Sequence, residues 1–302
     1  MESYSISAID PAYLALLASV MYSITLIFFR HGLEHGSPFM AVLLINVLVC
    51  IAGFFSSFLV EEIPTISTIA TYWFVITGIV GFGIAHLFAL VGIQRIGVNR
   101  SAPITASTPI WSVLFAIFFL KENPSFYVLL GTVLIAGGVW ILSFKKEGKE
   151  FQKEDSKSGL IYSLLASILF SIMPIFLKYA YFYQGTPFWG LGVAFGSGAI
   201  VVLFTKLLFP KWANFKTNKL GIRFFFIAAF FNILASIFMW HSMHKGDVSI
   251  IIPVSRLNTL WVLVLSYFFL KKIEALTLRI SCGAIVVLIG GMLVILNRNQ
   301  CC

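Results

Sequence analysis

The sequence predicts an all-α integral membrane protein with ten transmembrane helices in two inverted five-helix repeats. Three observations predict it. Hydrophobic residues make up 59% of the 302-residue chain and charged residues 11%, where a water-soluble domain carries about a quarter charged residues. Apolar stretches of spanning length recur along nearly the whole chain. Finally, "LLASVMYSITLIFFR" (16–30) returns half a chain later as "LLASILFSIMPIFLK" (164–178), with eight of fifteen positions identical and five more exchanged conservatively.

A folded sphere of this size cannot hide so much apolar surface inside itself. With a mean hydropathy of +0.96, the remaining area calls for a second apolar solvent, the lipid bilayer. The net charge of +9 does not point to nucleic acid, because the basic residues are scattered between apolar stretches and form no stripe. No basic segment precedes the first apolar run and no small-residue cleavage site follows it, so no cleavable signal peptide is expected. Cys50 and Cys282 lie in apolar runs and imply no disulfide framework. Cys301 and Cys302 read as a bare tail; a lipid anchor would add little to so many spans.

A spanning helix needs roughly 20 mostly apolar residues, and ten stretches meet that length. They are continuously apolar, unlike the alternating strands of a barrel. The first (12–30) carries the opening motif. The second (38–60) is entered through "GSPF" (36–39), the third (70–93) contains His86, and the fourth (99–120) ends in "FFLK" (118–121). The fifth (125–144) holds Gly131, Gly137 and Gly138. "KKEGKEFQKEDSK" (145–157) follows as a solvated linker, dividing a first repeat (1–144) from a second (158–302). The sixth (159–182) echoes the first, and the seventh (187–209) is entered through "GTPF" (185–188). The eighth covers 222–243. The ninth (248–270) aligns with the fourth at an offset of 150, pairing Pro103 with Pro253 and Trp111 with Trp261, and repeats "FFLK" at 268–271. The tenth (275–297) matches the fifth through Gly283, Gly290 and Gly291.

Five is odd, so the second repeat enters the membrane upside down relative to the first. Inverted repeats exchange conformations about a pseudo-two-fold axis in the membrane plane, opening a central cavity to each side in turn. The duplication therefore points to transport.

The segment "GVNRSAPITASTPIWSVLFAIFFLKENPSFYVLLGTVLIAGGVWIL" (97–142) and its echo "GDVSIIIPVSRLNTLWVLVLSYFFLKK" (246–272) resemble the EamA family of the drug/metabolite transporter superfamily. The resemblance covers nearly the whole chain. It implies ten spans in two repeats and carriage of amino acids, other metabolites or drugs. Two departures stand out. Many family members carry an Arg eight residues after the Pro of the second span, where this chain has Asn46. The related small multidrug exporters couple through a Glu in the first span, and the aligned residues here are Tyr22 and Phe170. Proton-driven cation export by that acid is therefore not expected.

Sixteen Lys and Arg residues fall near the side reached after the first span, and four (Lys121, Lys178, Lys245, Arg298) near the side of the termini. The positive-inside rule then puts the linker in the cytoplasm and both termini outside. The resemblance implies the opposite orientation.

No Asp or Glu lies well inside a span; Asp10, Glu34, Glu61, Glu62, Glu122, Asp247 and Glu274 sit at edges. Arg256 is the exception among charges, about eight residues into the ninth span, or roughly 12 Å from its start. It binds substrate, or it snorkels and satisfies carbonyls freed by Pro253. Ser101, Thr105, Thr108 and Ser112 form a polar stripe on the fourth span, and Ser255 and Asn258 keep its middle polar in the ninth. The stripe lines a cavity or joins helices by hydrogen bonds. His86 is a candidate proton carrier or a hydrogen-bonded core histidine. Asn232, Ser236 and Trp240 form a stripe on the eighth span, with Ser236 aligned to His86. Trp111 and Trp261 are gate walls or ordinary packing. Tyr22, Ser23 and Ser171 occupy the first helices of the repeats, where the related exporters bind substrate. Pro174 has no counterpart at Leu26 and is a candidate hinge.

No GxSxG, Walker A, HExxH or CxxC occurs, so no catalytic residue, metal or cofactor is expected. The reading is a secondary carrier in a bacterial plasma (inner) membrane. Its substrate is a small polar metabolite, an amino acid or another carboxylate-bearing molecule. A multidrug or quaternary-amine carrier is the alternative, and a membrane enzyme or lipid flippase subunit the alternative from another class. Coupling to protons or another ion, and the choice between monomer and homodimer, stay open.

Overall fold

In a computed structural model of the chain, residues 9–61, 65–96, 98–143, 153–210, 213, 215–269 and 278–297 are described. Most of the linker (through 152), Ser5, Lys271, Lys272, Glu274, Cys301 and Cys302 lie outside them.

The described chain is helical. Helix α1 spans Pro11–Leu33, α2 Pro38–Val60 and α3 Thr68–Ile96. Next come α4 (Val98–Thr105), α5 (Thr108–Phe115, continued by a wider π turn over Ala116–Leu120) and α6 (Phe126–Ser143). Then α7 spans Lys153–Tyr183, α8 Pro187–Leu208 and α9 Lys219–Lys245. The chain continues through α10 (Val248–Ser255), α11 (Asn258–Phe269) and α12 (Leu278–Leu296). Eight helical stretches are long and apolar enough to cross a membrane, counting α4–α5 and α10–α11 each as one. Two shorter apolar helices, Phe126–Leu142 and Cys282–Leu296, stand at the expected fifth and tenth spans. Helix α7 starts at Lys153, six residues before the apolar run, because Lys and Glu sustain a helix in water.

Local chemistry sets the helix starts. Asp10 caps α1, its carboxylate accepting the Ala12 N–H at 2.9 Å, and Pro11 holds the first turn. Ser37 caps α2 in the same way, accepting from Phe39 N–H at 3.2 Å ahead of Pro38. Asn218 caps α9 through the Gly221 N–H at 2.8 Å. The echoed "GSPF" and "GTPF" are thus helix-start signals.

The chain forms two compact units, and neither is a sequence half: Met1–Gly83 with Phe176–Gly246, and Ile84–Ile175 with Asp247–Cys302. In the first, α1 lies along α9 and α2 along α8. A Cβ at Gly53 would come within 2.6 Å of the Gly192 backbone, so these glycines set how closely α2 and α8 approach. In the second, α6 lies along α12. A Cβ on Gly131 would meet the Gly290 carbonyl at 2.7 Å and one on Gly290 the Gly131 carbonyl at 2.7 Å; a Cβ on Gly138 would meet the Gly283 carbonyl at 3.0 Å. Gly131 and Gly290, both from the glycine sets shared by the repeats, therefore face one another reciprocally.

Helix α3 carries a π stretch over Gly78–Ala85. Such turns leave carbonyls off the regular ladder, and Asn46 Nδ2–H donates to one, Phe82 O, at 3.3 Å. The polar residue that departs from the family pattern thus stabilises a backbone irregularity within the first unit.

Candidate functional site

Two helices break at positions 150 residues apart. The interruption between α4 and α5 falls at Ala106–Ser107, and that between α10 and α11 at Arg256–Leu257. Regular bonding gives way to tighter turns: Ser107 N–H bonds Ile104 O at 3.1 Å, Arg256 N–H bonds Pro253 O at 3.1 Å, and Leu257 N–H bonds Val254 O at 3.1 Å. Ser107 (φ −73°, ψ −10°) and Arg256 (φ −74°, ψ −8°) share one backbone conformation. In the first repeat Pro109 supplies the cause. It has no N–H for the Thr105 carbonyl, which accepts instead from the Thr108 hydroxyl at 2.7 Å.

Arg256 sits at the second break, half-buried, and its buried Nε has no hydrogen-bond partner among the described residues. The Nε–H in that position is an unspent donor among the described residues. Two residues on, Asn258 is half-buried and its Oδ1 accepts from the Thr259 hydroxyl at 3.4 Å. Ser255 spends its hydroxyl on Ile252 O at 2.7 Å. Trp261 is half-buried one turn beyond Asn258.

The polar stripe of the fourth span faces α7. Ser163 donates to Ser101 at 2.9 Å, Ser167 lies 3.1 Å from both Ser107 and Thr108, and Ser171 donates to Thr108 O at 3.0 Å. Trp111 Nε1–H joins the seam through Ser107 at 3.2 Å. Thr108 and Ser171 are buried within this seam, while Thr105 and Trp111 are half-buried beside it. His86 stands edge-on to Phe170, ring centroids 5.0 Å apart.

In the first unit Tyr22 Oη lies 3.4 Å from Ser236 Oγ, which donates to Asn232 Oδ1 at 3.3 Å. Three residues singled out by sequence thus meet. Ser23 is buried and spends its hydroxyl on Val20 O. Trp240 is buried among Phe74 and Tyr181, with the Tyr181 hydroxyl donating to its carbonyl at 3.1 Å. The repeat alignment maps Tyr22 to Phe170 and Ser236 to His86. Tyr22–Ser236 in one unit and Phe170–His86 in the other are therefore equivalent pairs, one polar and one aromatic.

The family model for EamA-like transporters matches residues 11–144 and again 157–296. The chain belongs to this family. It is an EamA-like transporter of the drug/metabolite transporter superfamily and an integral, multi-pass membrane protein. Among its relatives, the mouse GDP-fucose transporter 1 is 36% identical over 88 residues, 29% of this chain and 22% of that one. The match therefore spans about a fifth of the mouse protein. An uncharacterized protein of Methanocaldococcus jannaschii is 26% identical over 142 residues, 47% of this chain but 98% of its own length. It is thus about half the size of this EamA-like chain. A solved crystal structure of another protein shares the fold, with a TM-score of 0.76 at 15% identity over 95% of this chain and 98% of that one.

Two acids that look like edge charges in the sequence have specific partners in the EamA-like fold. Glu61, just past α2, accepts the N–H groups of Phe188 and Trp189 at 2.8 and 2.9 Å, and the Ser57 hydroxyl at 2.8 Å. Glu122 accepts the N–H groups of Val248 and Ser249 at 2.8 and 2.9 Å. Their sequence signal is an acid within two residues of the end of an apolar run, which marks a helix end but names no partner.

Proposed function

We propose that this protein is a secondary carrier. It moves a small polar metabolite bearing a carboxylate, an amino acid or organic acid, across the membrane by alternating access. Arg256 carries the reading. A central Arg costs roughly 2.5–3.5 kcal/mol on insertion scales, and its buried Nε is unpaired among the described residues. A substrate carboxylate offsets that cost, because a guanidinium fork binds it through two parallel hydrogen bonds. Asn258, Thr105, Trp111 and Trp261, in the same unit as Arg256, orient the rest of the molecule in this reading. The mouse relative is named for GDP-fucose, an anion through its diphosphate, which agrees with a cationic anchor.

The same reading has ten crossings in two inverted repeats. The reciprocal glycine contacts, the matching breaks and the equivalent pairs Tyr22–Ser236 and Phe170–His86 support it. So does a relative of half this length. The host membrane in this reading is a bacterial plasma membrane.

Proteoliposomes loaded with labelled amino acids, organic acids and quaternary amines test the substrate class. Arg256→Gln should lose at least about tenfold in carboxylate uptake, the effect of one charge-assisted bond of 1.5 kcal/mol or more, with expression unchanged. Arg256→Lys keeps the charge without the fork and should fall between. Normal carboxylate uptake by Arg256→Gln, or preference of the wild type for a simple cation, would make this Arg structural.

A further inference from the structure

Helices α8 and α10 each begin at a residue of the type that caps its own helix, and neither residue does so. Thr186 precedes α8, makes no capping bond, and leaves its buried Oγ1 without a partner among the described residues. Asp247 precedes α10 and likewise makes no side-chain capping bond. Thr and Asp in that position ordinarily accept a backbone N–H from the first turn. Here the N–H groups are taken by Glu61 and Glu122, which come from the ends of helices in the first repeat. Ser37 is the echo of Thr186 in "GSPF" and "GTPF", and it caps its own helix through Phe39 N–H at 3.2 Å. The motif is therefore competent to cap in place.

We propose that Glu61 and Glu122 are exchangeable caps. In one conformation each carboxylate ties a second-repeat helix start to a first-repeat helix end. In another, the carboxylate withdraws and Thr186 or Asp247 caps the freed turn. A helix start bared without replacement leaves buried N–H groups unpaired, which is costly. With a local cap waiting, the released conformation recovers one of the two bonds, as Ser37 does with Phe39 N–H, and the free-energy gap between the conformations narrows. A gating element needs that kind of bistability.

The exchange rests on the ten-crossing carrier reading for its place, since that topology puts both caps on the face of the termini. The aligned positions on the opposite face carry no acid. The "FFLK" alignment maps Glu122 to Lys272, and the "GSPF" offset maps Glu61 to Pro210; neither side chain accepts an N–H. These two caps therefore bias the face of the termini.

A double-mutant cycle on Glu122 and Asp247 tests this in the full chain, reconstituted in liposomes. Ser249→Cys reports opening in a background lacking Cys50, Cys282, Cys301 and Cys302, because Ser249 is buried beside the cap. Thiol labelling rate and thermal midpoint are read together. Glu122→Gln should raise labelling about five- to tenfold, the equivalent of one lost cap or charge-assisted bond. Asp247→Ala should lower it about fivefold with the midpoint unchanged, because Asp247 caps only the released turn. The pair should lose more thermal stability than the sum of its members. If Asp247→Ala alters neither readout, alone or with Glu122→Gln, then Glu122 is a static fastener and the exchange is wrong. Should Glu122→Gln fail to fold, the labelling of Asp247→Ala decides alone. Neither readout needs a substrate, so failure of the carboxylate reading leaves this test intact.

Discussion

Thr108 and Asn258 occupy the same place in the two repeats, yet their surroundings differ. Thr108 bonds the Thr105 carbonyl and Ser167, and its own carbonyl accepts from Ser171. Its polarity is absorbed by the join between α5 and α7. Asn258 is half-buried, with its amide Nδ2–H groups unspent in the described contacts. Thr108→Val should therefore lower the thermal midpoint, through a loss of about 1 kcal/mol for a buried hydrogen bond, and leave substrate preference as it is. Asn258→Leu should cut uptake severalfold at nearly unchanged stability. Matched unfolding scans and uptake curves check the pair; equal stability losses would put both residues in the packing. This division is not legible in the sequence, because a polar stripe at helical spacing serves a cavity or a neighbouring helix equally well. Arg256 is legible, since a charge inside an apolar run is visible in one dimension. Glu61 is not, because its N–H partners lie 127 and 128 residues away.

At the scale of elements, the helix boundaries follow from caps and prolines close in sequence, while the breaks and close approaches depend on neighbours. Pro103 and Pro253 mark the broken helices at the sequence level. The conserved spacing of the glycines shows that something is shared without showing what each one touches. Gly290 and Gly137 separate these cases. A Cβ at Gly290 would meet backbone at 2.7 Å, whereas one at Gly137 has nothing within 4 Å. Gly290→Ala should force α6 and α12 apart and destabilise the protein by about 1–3 kcal/mol, the usual range for overpacking. Gly137→Ala should be neutral or stabilising by up to about 1 kcal/mol, since Ala is the better helix former. Unfolding in detergent measures both, and equal losses would mean that the helix pair tolerates a wider separation. The π stretch of α3 has no such sequence marker. Three glycines permit it, and the Asn46 bond to Phe82 O stabilises it from another helix.

For the whole molecule, the chain's own charges argue against the orientation its family implies. With ten crossings, the Lys and Arg flanking the spans number sixteen on the linker side and four on the side of the termini. Cationic loops resist translocation, and the rule counts residues close to span ends, as these are. Ten crossings return the chain to the side where it began, so both termini should face out and residues 145–157 should face the cytoplasm. A cysteine at Ser5 should then react with a membrane-impermeant thiol reagent in intact cells, and one at Ser156 only after permeabilisation, with the native cysteines replaced. An odd number of crossings would instead put the termini on opposite faces, so a third cysteine at Asn299 tests the count, reacting as Ser5 does if ten is right. The reverse pattern at Ser5 and Ser156 would restore the orientation implied by the family. It would also turn the Glu61 and Glu122 caps toward the cytoplasm, making that face the one they hold.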